Sequence, residues 1–454
     1  MEQDMTKGSP FRVLIMFTLP LAIGNIFQQL YNMADTIIVG RYVGADALAA
    51  VGSTGTVMFL LNGFAQGITA GFAVLTSQRY GAKKLEGVKQ SVSNGILLSF
   101  ISAIGFTTAS LFFMRPLLHL MNTPKNIFSQ AYEYISLISL GMVANVFYNL
   151  FSSYLRAVGN SRMPLIFLVL SACLNVVLDL ILIINFKMGV AGAAWATNLS
   201  QAISAVLCAV YIYKKVPALM PKKHHWRFHK GDTRYQLATG IPMALQFAIT
   251  SSGTMVMQSA INLFGSEAVA AYTAAGKIHG LLMQGMVAMG QTMAVYSGQN
   301  YGKGDTGRIR QGVRAALIIE GIYSVISAVI VSAALGPSMG LFFSGEVDLA
   351  AMMPWARTYT TICILFYVPL CTIFIFRNTM QGCGYGFLPM MGGVVELAAR
   401  LIIAVIAMDL HSYWLACACD PAAWVGAGLF TGISYLYVIK KIERDLGKAI
   451  KEDM

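Results

Sequence analysis

The chain has 454 residues, 56% of them hydrophobic and only 11% charged, with a formal charge of +12. Soluble domains carry about 25% charged residues, so the composition excludes a soluble protein with a single anchor and points to a polytopic membrane protein. The long apolar runs lack the alternation of barrel strands, which leaves an all-α bundle.

The first run starts at Val13 and meets no charge except Asp35 before Arg41. Roughly 28 residues at 1.5 Å each exceed a ~30 Å hydrocarbon core, so this is a membrane span. The preceding "MEQDMTKGSPFR" has no small-residue cleavage site, and the span reads as retained rather than as a signal peptide. A carboxylate inside a span is costly and by default marks an ion or substrate path. Asn25, Gln28 or Gln29, Asn32 and Asp35 or Thr36 recur at three- to four-residue steps. That spacing predicts a polar stripe on one face, turned away from lipid. Asn and Gln also tie helices together for about 1 kcal/mol each, which accounts for the amides but not for the acid.

Eleven more spans are predicted, at about 46–78, 88–112, 128–154, 164–186, 190–213, 237–264, 268–298, 311–335, 352–376, 387–409 and 413–439. The fifth places Ser171, Asn175 and Asp179 at i, i+4 and i+8 of one helix face, and the sixth carries Thr197. Two carboxylates and two neutral oxygens, if they converge, suit a small hard cation or a proton. The spacing alone does not bring them together.

Between the sixth and seventh spans lies the longest polar segment, Lys214 to Gln236, read as a basic linker in which His224, His225 and His229 are expected to be solvated. It separates related halves. "ADALAAVG" (Ala45–Gly52) aligns with "SEAVAAYT" (Ser266–Thr273), and "QRYGAKKLEGVKQSV" (Gln78–Val92) with "QNYGKGDTGRIRQGV" (Gln299–Val313). Pro20 pairs with Pro242, Gly159 with Gly384 and Pro164 with Pro389. The expected organisation is therefore a six-helix lobe at 1–213, a linker at 214–236, and a second lobe with a tail at 237–454. Six spans per repeat make the halves parallel, a transporter architecture with the substrate path between them.

In the second half the intramembrane charges are Lys277, Glu320, Glu396 and Arg400. Glu396 and Arg400 stand four apart in the favourable order and predict a structural ion pair. Lys277 and His279 either touch a central cleft or are buried or snorkelling. Met283, Met286, Met289 and Met293 share one face of the eighth span. Such a face either adapts to dissimilar ligands or fills gaps between helices. The seven cysteines lie mostly within spans and read as small apolar packing residues.

The basicity is topology rather than a nucleic-acid footprint. About 25 of the 32 Lys and Arg residues fall at the two ends and in the even-numbered loops, against five on the other side. By the positive-inside rule both termini are cytoplasmic. No P-loop, H-E-x-x-H or paired aspartate-rich motif occurs, so no enzyme activity and no cofactor are expected, and an ion gradient is the energy source that remains.

The segments "GNIFQQLYNMADTIIVGRYVGADALAAVG", "SQRYGAK", "LRAVGNSRMPL" and "NVVLDLILIINFKMGVAGAAWAT" resemble the multidrug and toxic compound extrusion (MATE) transporters, most closely their DinF-like branch, over nearly the whole chain. The resemblance implies twelve helices in two six-helix lobes forming a V around a central cleft. The implied activity is export of bulky, often cationic, drug-like compounds in exchange for H+ or Na+, by a monomer in the prokaryotic cytoplasmic membrane. It assigns Asp35, Asn175, Asp179 and Thr197 to the coupling site, where they would be the metal ligands if the ion is Na+. Pro20 matches the proline at which the first helix bends in some accounts of the family. Gln28, Gln29, Asn32, Lys277, Met283 and Met286 are candidate cleft residues. NorM-like members keep acids in the seventh and tenth spans, and neither span has one here. The alternative reading is a flippase of lipid-linked saccharide in the same superfamily, with Lys277 as the strong cationic candidate.

Overall fold

The computed structural model describes residues 3–121, 123–342 and 349–452, and every regular element among them is helical. The end of the expected tail, 453–454, lies outside the described residues. Through the first half run α1 (Pro10–Tyr42), α2 (Ala45–Ser53), α3 (Gly55–Gly81), α4 (Leu85–Leu120), α5 (Lys125–Leu140), α6 (Met142–Ala157), α7 (Arg162–Asp179) and α8 (Gly189–Lys215). Through the second run α9 (Lys230–Ile261), α10 (Gly265–Lys303), α11 (Thr306–Phe342), α12 (Leu349–Leu365), α13 (Tyr367–Gly382), α14 (Phe387–Asp409), α15 (Tyr413–Cys417) and α16 (Cys419–Glu452).

All twelve predicted spans fall on one of these helices or on a consecutive pair. Among the described residues, eight helices are long and apolar enough to cross a membrane, or up to ten if each bent pair is one span. α9 and α10 have the length but are more polar. α9 carries the Ser- and Thr-rich stretch "TSSGT", and α10 carries Lys277 and His279.

Both bends occupy matching places in the two halves. α5 meets α6 at 46°, and α12 meets α13 at 50°. In the first, the chain breaks at Gly141, and the Leu137 carbonyl, which accepts the Gly141 amide at 3.2 Å, also accepts from Asn198 Nδ2 of α8 at 2.7 Å. In the second, Pro369 lies four residues after Leu365, where its ring opposes a continuous helix.

The chain forms two compact units, 1–4 with 23–247 and 5–22 with 248–454. These divide the chain differently from the halves drawn on the sequence, because α1 and α9 each contribute their leading part to one unit and the remainder to the other. The divisions come just after Pro20 and Pro242.

In the first unit the leading part of α9 lies directly against α3. A Cβ on Gly71 would sit 2.3 Å from the Gly240 Cα, so only glycine permits this approach. The linker is docked rather than free. Asp232 receives Arg79 through two bonds of 2.6 and 2.7 Å, and Gln236, fully buried, accepts from Asn94 Nδ2 at 2.7 Å. His225 is buried too, contrary to the expected solvation.

The second unit repeats this docking with the start of the chain. Met5, Leu14 and Phe17 are fully buried among Met289, Met293 and Tyr296. The Met5 amide donates to Gln299 Oε1 at 3.1 Å, and Thr18 Oγ1 donates to Thr292 Oγ1 at 2.8 Å. Gln299 is the repeat partner of Gln78, which accepts from the Tyr235 hydroxyl at 2.8 Å in the first unit.

Two variants test this packing by thermal unfolding of detergent-purified protein. Gly71→Val overpacks the α3–α9 contact and is expected to cost about 3 kcal/mol. Arg79→Met leaves Asp232 buried without its partner and is expected to cost a similar amount, ~3 kcal/mol, with part of the loss recovered when Asp232→Leu is added.

Candidate functional site

The first unit brings together the four residues that the sequence singled out. Asn175 and Asp179 stand one turn apart on α7 and are almost fully buried, and Asp35 of α1 is 8% exposed. Gly189, at φ +58°, turns the chain into α8 and sets Thr197 opposite Asn175, whose Nδ2 donates to Thr197 Oγ1 at 3.4 Å. The Asp35 and Asp179 carboxyls adjoin each other. A π-helical turn, Leu180–Asn185, begins immediately after Asp179, a widening that recurs at functional sites.

Three residues not picked out in the sequence complete the shell. Tyr31, one turn before Asp35, lies within electrostatic reach of both carboxyls and meets the side chain of Gln201 on α8. Tyr134 of α5 is buried within reach of the same two acids and of Tyr31. Their only signal in the sequence was helical spacing: Tyr31 precedes Asp35 by four, and Gln201 follows Thr197 by four.

Electrostatically the site is short of donors. Asp35 Oδ1, both oxygens of Asp179, Asn175 Oδ1 and Gln201 Oε1 are buried without a hydrogen-bond partner among the described residues. No Lys, Arg or His pairs with either acid there. Touching carboxylates among bare acceptors repel unless a proton or cation lies between them. The donor set, all oxygen, fits a small hard cation as well as a proton.

The expected polar stripe on α1 divides. Asp35 turns inward, while Gln28, Gln29, Asn32 and Thr36 are exposed, and Thr36 Oγ1 caps the Asn32 carbonyl at 2.9 Å. A step of 100° per residue separates Thr36 from Asp35 enough to put them on different sides. Nearby helices add further amides: the half-buried Asn145 of α6 donates from Nδ2 to Oδ1 of the exposed Asn62 of α3, and the half-buried Asn149 from Nδ2 to Asn145 Oδ1, both at 3.1 Å.

In the second unit Lys277 is exposed on α10, and His279 is buried against the Tyr367 hydroxyl. Met286 is 1% exposed inside the core with Met283 half-buried beside it, so the structure gives Met286 a packing position rather than a surface one. The Glu396–Arg400 pair is present at 3.4 Å and belongs to a larger network. Arg377 reaches Glu396 at 3.4 Å, and Arg400 Nε reaches Asp420 at 2.8 Å. Two arginines thus neutralise two acids deep in the bundle.

A third cluster, outside the spans, joins the linker to the start of α4. Glu86, His224 and His225 bring potential ligand atoms within 4.8 Å of one another. His225 Nδ1, however, accepts the Lys222 amide at 2.9 Å, so its proton sits on Nε2, 3.1 Å from Glu86. Burial, with His224 beside it, holds this ring below the usual histidine range. That arrangement is a hydrogen bond to Glu86, because a metal-bound imidazole needs its other nitrogen as a donor.

The MatE family model matches residues 20–181 and 242–406, once in each half. The probable multidrug resistance protein YpnP of Bacillus subtilis is 28% identical over 446 residues, 96% of this chain and 94% of its own length. The multidrug export protein MepA of Staphylococcus aureus is 21% identical across 87% of this chain and 88% of its own. A solved structure described as the outward-facing conformation of a multidrug resistance MATE family transporter of the MOP superfamily has a TM-score of 0.87 at 23% identity. It covers 98% of both chains and so shares the fold. Matched in both halves and across most of its length, this polytopic helical membrane protein belongs to the MatE family.

Proposed function

We propose that the chain is a secondary active exporter of drug-like organic compounds, bulky cationic ones among them, driven by exchange for H+ or Na+ at the Asp35–Asp179 pair. The observation that carries this reading is the cluster of unpartnered buried acceptor oxygens around those two carboxyls. A transported cation neutralises the pair on one side of the membrane and leaves it charged on the other. The names of YpnP and MepA support the substrate class. Location of the pair in the first unit, with no acid in the seventh or tenth span, supports the DinF-like branch. The exposed Gln28 and Asn32, on the helix that also carries Asp35, and the half-buried Asn145 of α6 supply adaptable polar contacts beside the coupling site. The positive-inside bias supports cytoplasmic termini in a prokaryotic cytoplasmic membrane, and the chain is proposed to work as a monomer.

A lipid-linked pyrophosphate would need a cationic cavity. Arg377 and Arg400 are neutralised by Glu396 and Asp420, which leaves Lys277 and does not favour the flippase reading.

Ethidium efflux from proteoliposomes under an imposed pH gradient, and separately under a Na+ gradient, tests the proposal. Asp35→Asn and Asp179→Asn are each expected to reduce gradient-driven efflux to the level of protein-free vesicles while the protein remains inserted and folded. Export at the wild-type rate by either variant would sink the assignment. Thr197→Val removes one neutral oxygen and is expected to raise the cation concentration needed for half-maximal efflux about tenfold, some ~1.4 kcal/mol.

A further inference from the structure

Six acids in the described structure are nine-tenths or more buried: Asp35, Asp179, Asp232, Glu320, Glu396 and Asp420. Asp232, Glu396 and Asp420 face arginines. Asp35 and Asp179 face each other. Glu320, 3% exposed and near the middle of α11 in the second unit, has neither solution: among the described residues no Lys, Arg or His pairs with it.

Its surroundings are polar but uncharged. Cys371 of α13 offers its thiol to Glu320 Oε2 at 3.4 Å, and Ser324 Oγ lies 2.9 Å from the same sulfur. The Tyr323 phenol on the same helix lies within electrostatic reach, and it donates to the Leu282 carbonyl of α10 at 2.7 Å. α11 packs on α10, α12, α13 and α16. Cys371 is the titratable group from those helices found against Glu320. His279 of α10 is engaged by Tyr367, one turn before Cys371 on α13.

A weak thiol donor does little to stabilise an ionised carboxylate inside an apolar bundle. Nor is this a sodium site, since a hard cation takes several oxygens and here a sulfur stands in the way. A proton is what the pocket accommodates. From this arrangement we propose that Glu320, with Cys371 as its hydrogen-bond partner, is a second proton carrier. It takes one proton from water on one side and returns it on the other in each cycle, separately from Asp35 and Asp179. This rests on the antiport reading above, and the same test that picks out the Asp35–Asp179 pair, burial without an opposite charge, picks out Glu320.

The test is the steady-state ethidium accumulation ratio in proteoliposomes as a function of imposed pH difference. Glu320→Gln is expected to accumulate about tenfold less dye per unit of pH difference than wild type, one coupled proton fewer. Glu320→Asp, which keeps the carboxyl, is expected to retain the wild-type dependence. An identical dependence for Glu320→Gln and wild type overturns the proposal.

A second readout needs no Glu320 variant and no transport. The infrared S–H stretch of Cys371, identified by its loss in Cys371→Ser, is expected to shift as Glu320 takes up its proton. A band that stays fixed between about pH 5 and 9 overturns the proposal. If wild type shows no proton-driven accumulation while the S–H band still shifts, it is the antiport reading that has failed.

Discussion

A charge inside an apolar helical bundle must be met by an opposite charge, a proton or an ion, and this constraint organises the interior of the protein. Removing one partner from a buried pair costs about 3–5 kcal/mol, so each buried acid declares its role by what stands opposite. Asp232 meets Arg79, and the contact pins the linker to the first unit. Glu396 and Asp420 share Arg400 and hold α14 against α16. The buried acids that meet no arginine, Asp35, Asp179 and Glu320, are the ones to which the proposals above give exchange.

The same sorting separates paired from unpaired buried acids along the chain. Arginine-paired acids are satisfied in a single state and gain nothing from movement. The Asp35–Asp179 cluster is satisfied only when something enters it, because its oxygens outnumber its donors. Tyr31, Tyr134 and Gln201 close the cluster from α1, α5 and α8 and keep it nearly dry. Exposed amides on α1 and α3 and half-buried ones on α6 lie outside that shell, and Gln28, two turns before Asp35 on the same helix side, is exposed where Asp35 is buried.

Much of this was legible in the sequence. The repeat, with Gln78 answering Gln299 and Pro20 answering Pro242, was read as two related halves, and the structure adds matching bends and matching docking sites to it. The helical spacing of Ser171, Asn175 and Asp179 gave one buried face, and the structure puts Thr197 opposite. What was not legible depended on contacts between elements distant in sequence. A buried His225 looks like any basic linker histidine until Lys222 and Glu86 are placed around it. Met286 shares its helix face with residues of equal flexibility, and only packing decides that it belongs to the core. The division of α1 and α9 between units left no periodic trace, because both parts of each helix are apolar enough to continue.

That division has a consequence for biosynthesis. Thr18 is the hydrogen-bond partner of Thr292, 274 residues later, and Met5 that of Gln299, 294 residues later. At about 5–20 residues per second, tens of seconds pass between emergence of the first helix and emergence of the surface that its leading part covers. The first unit likewise lacks its closing piece until the leading part of α9 has been made, so a chain cut at the linker would leave each fragment without an element of its own core. The two halves look like a tandem repeat on paper, but they mature together, as one translation product whose beginning waits for its middle.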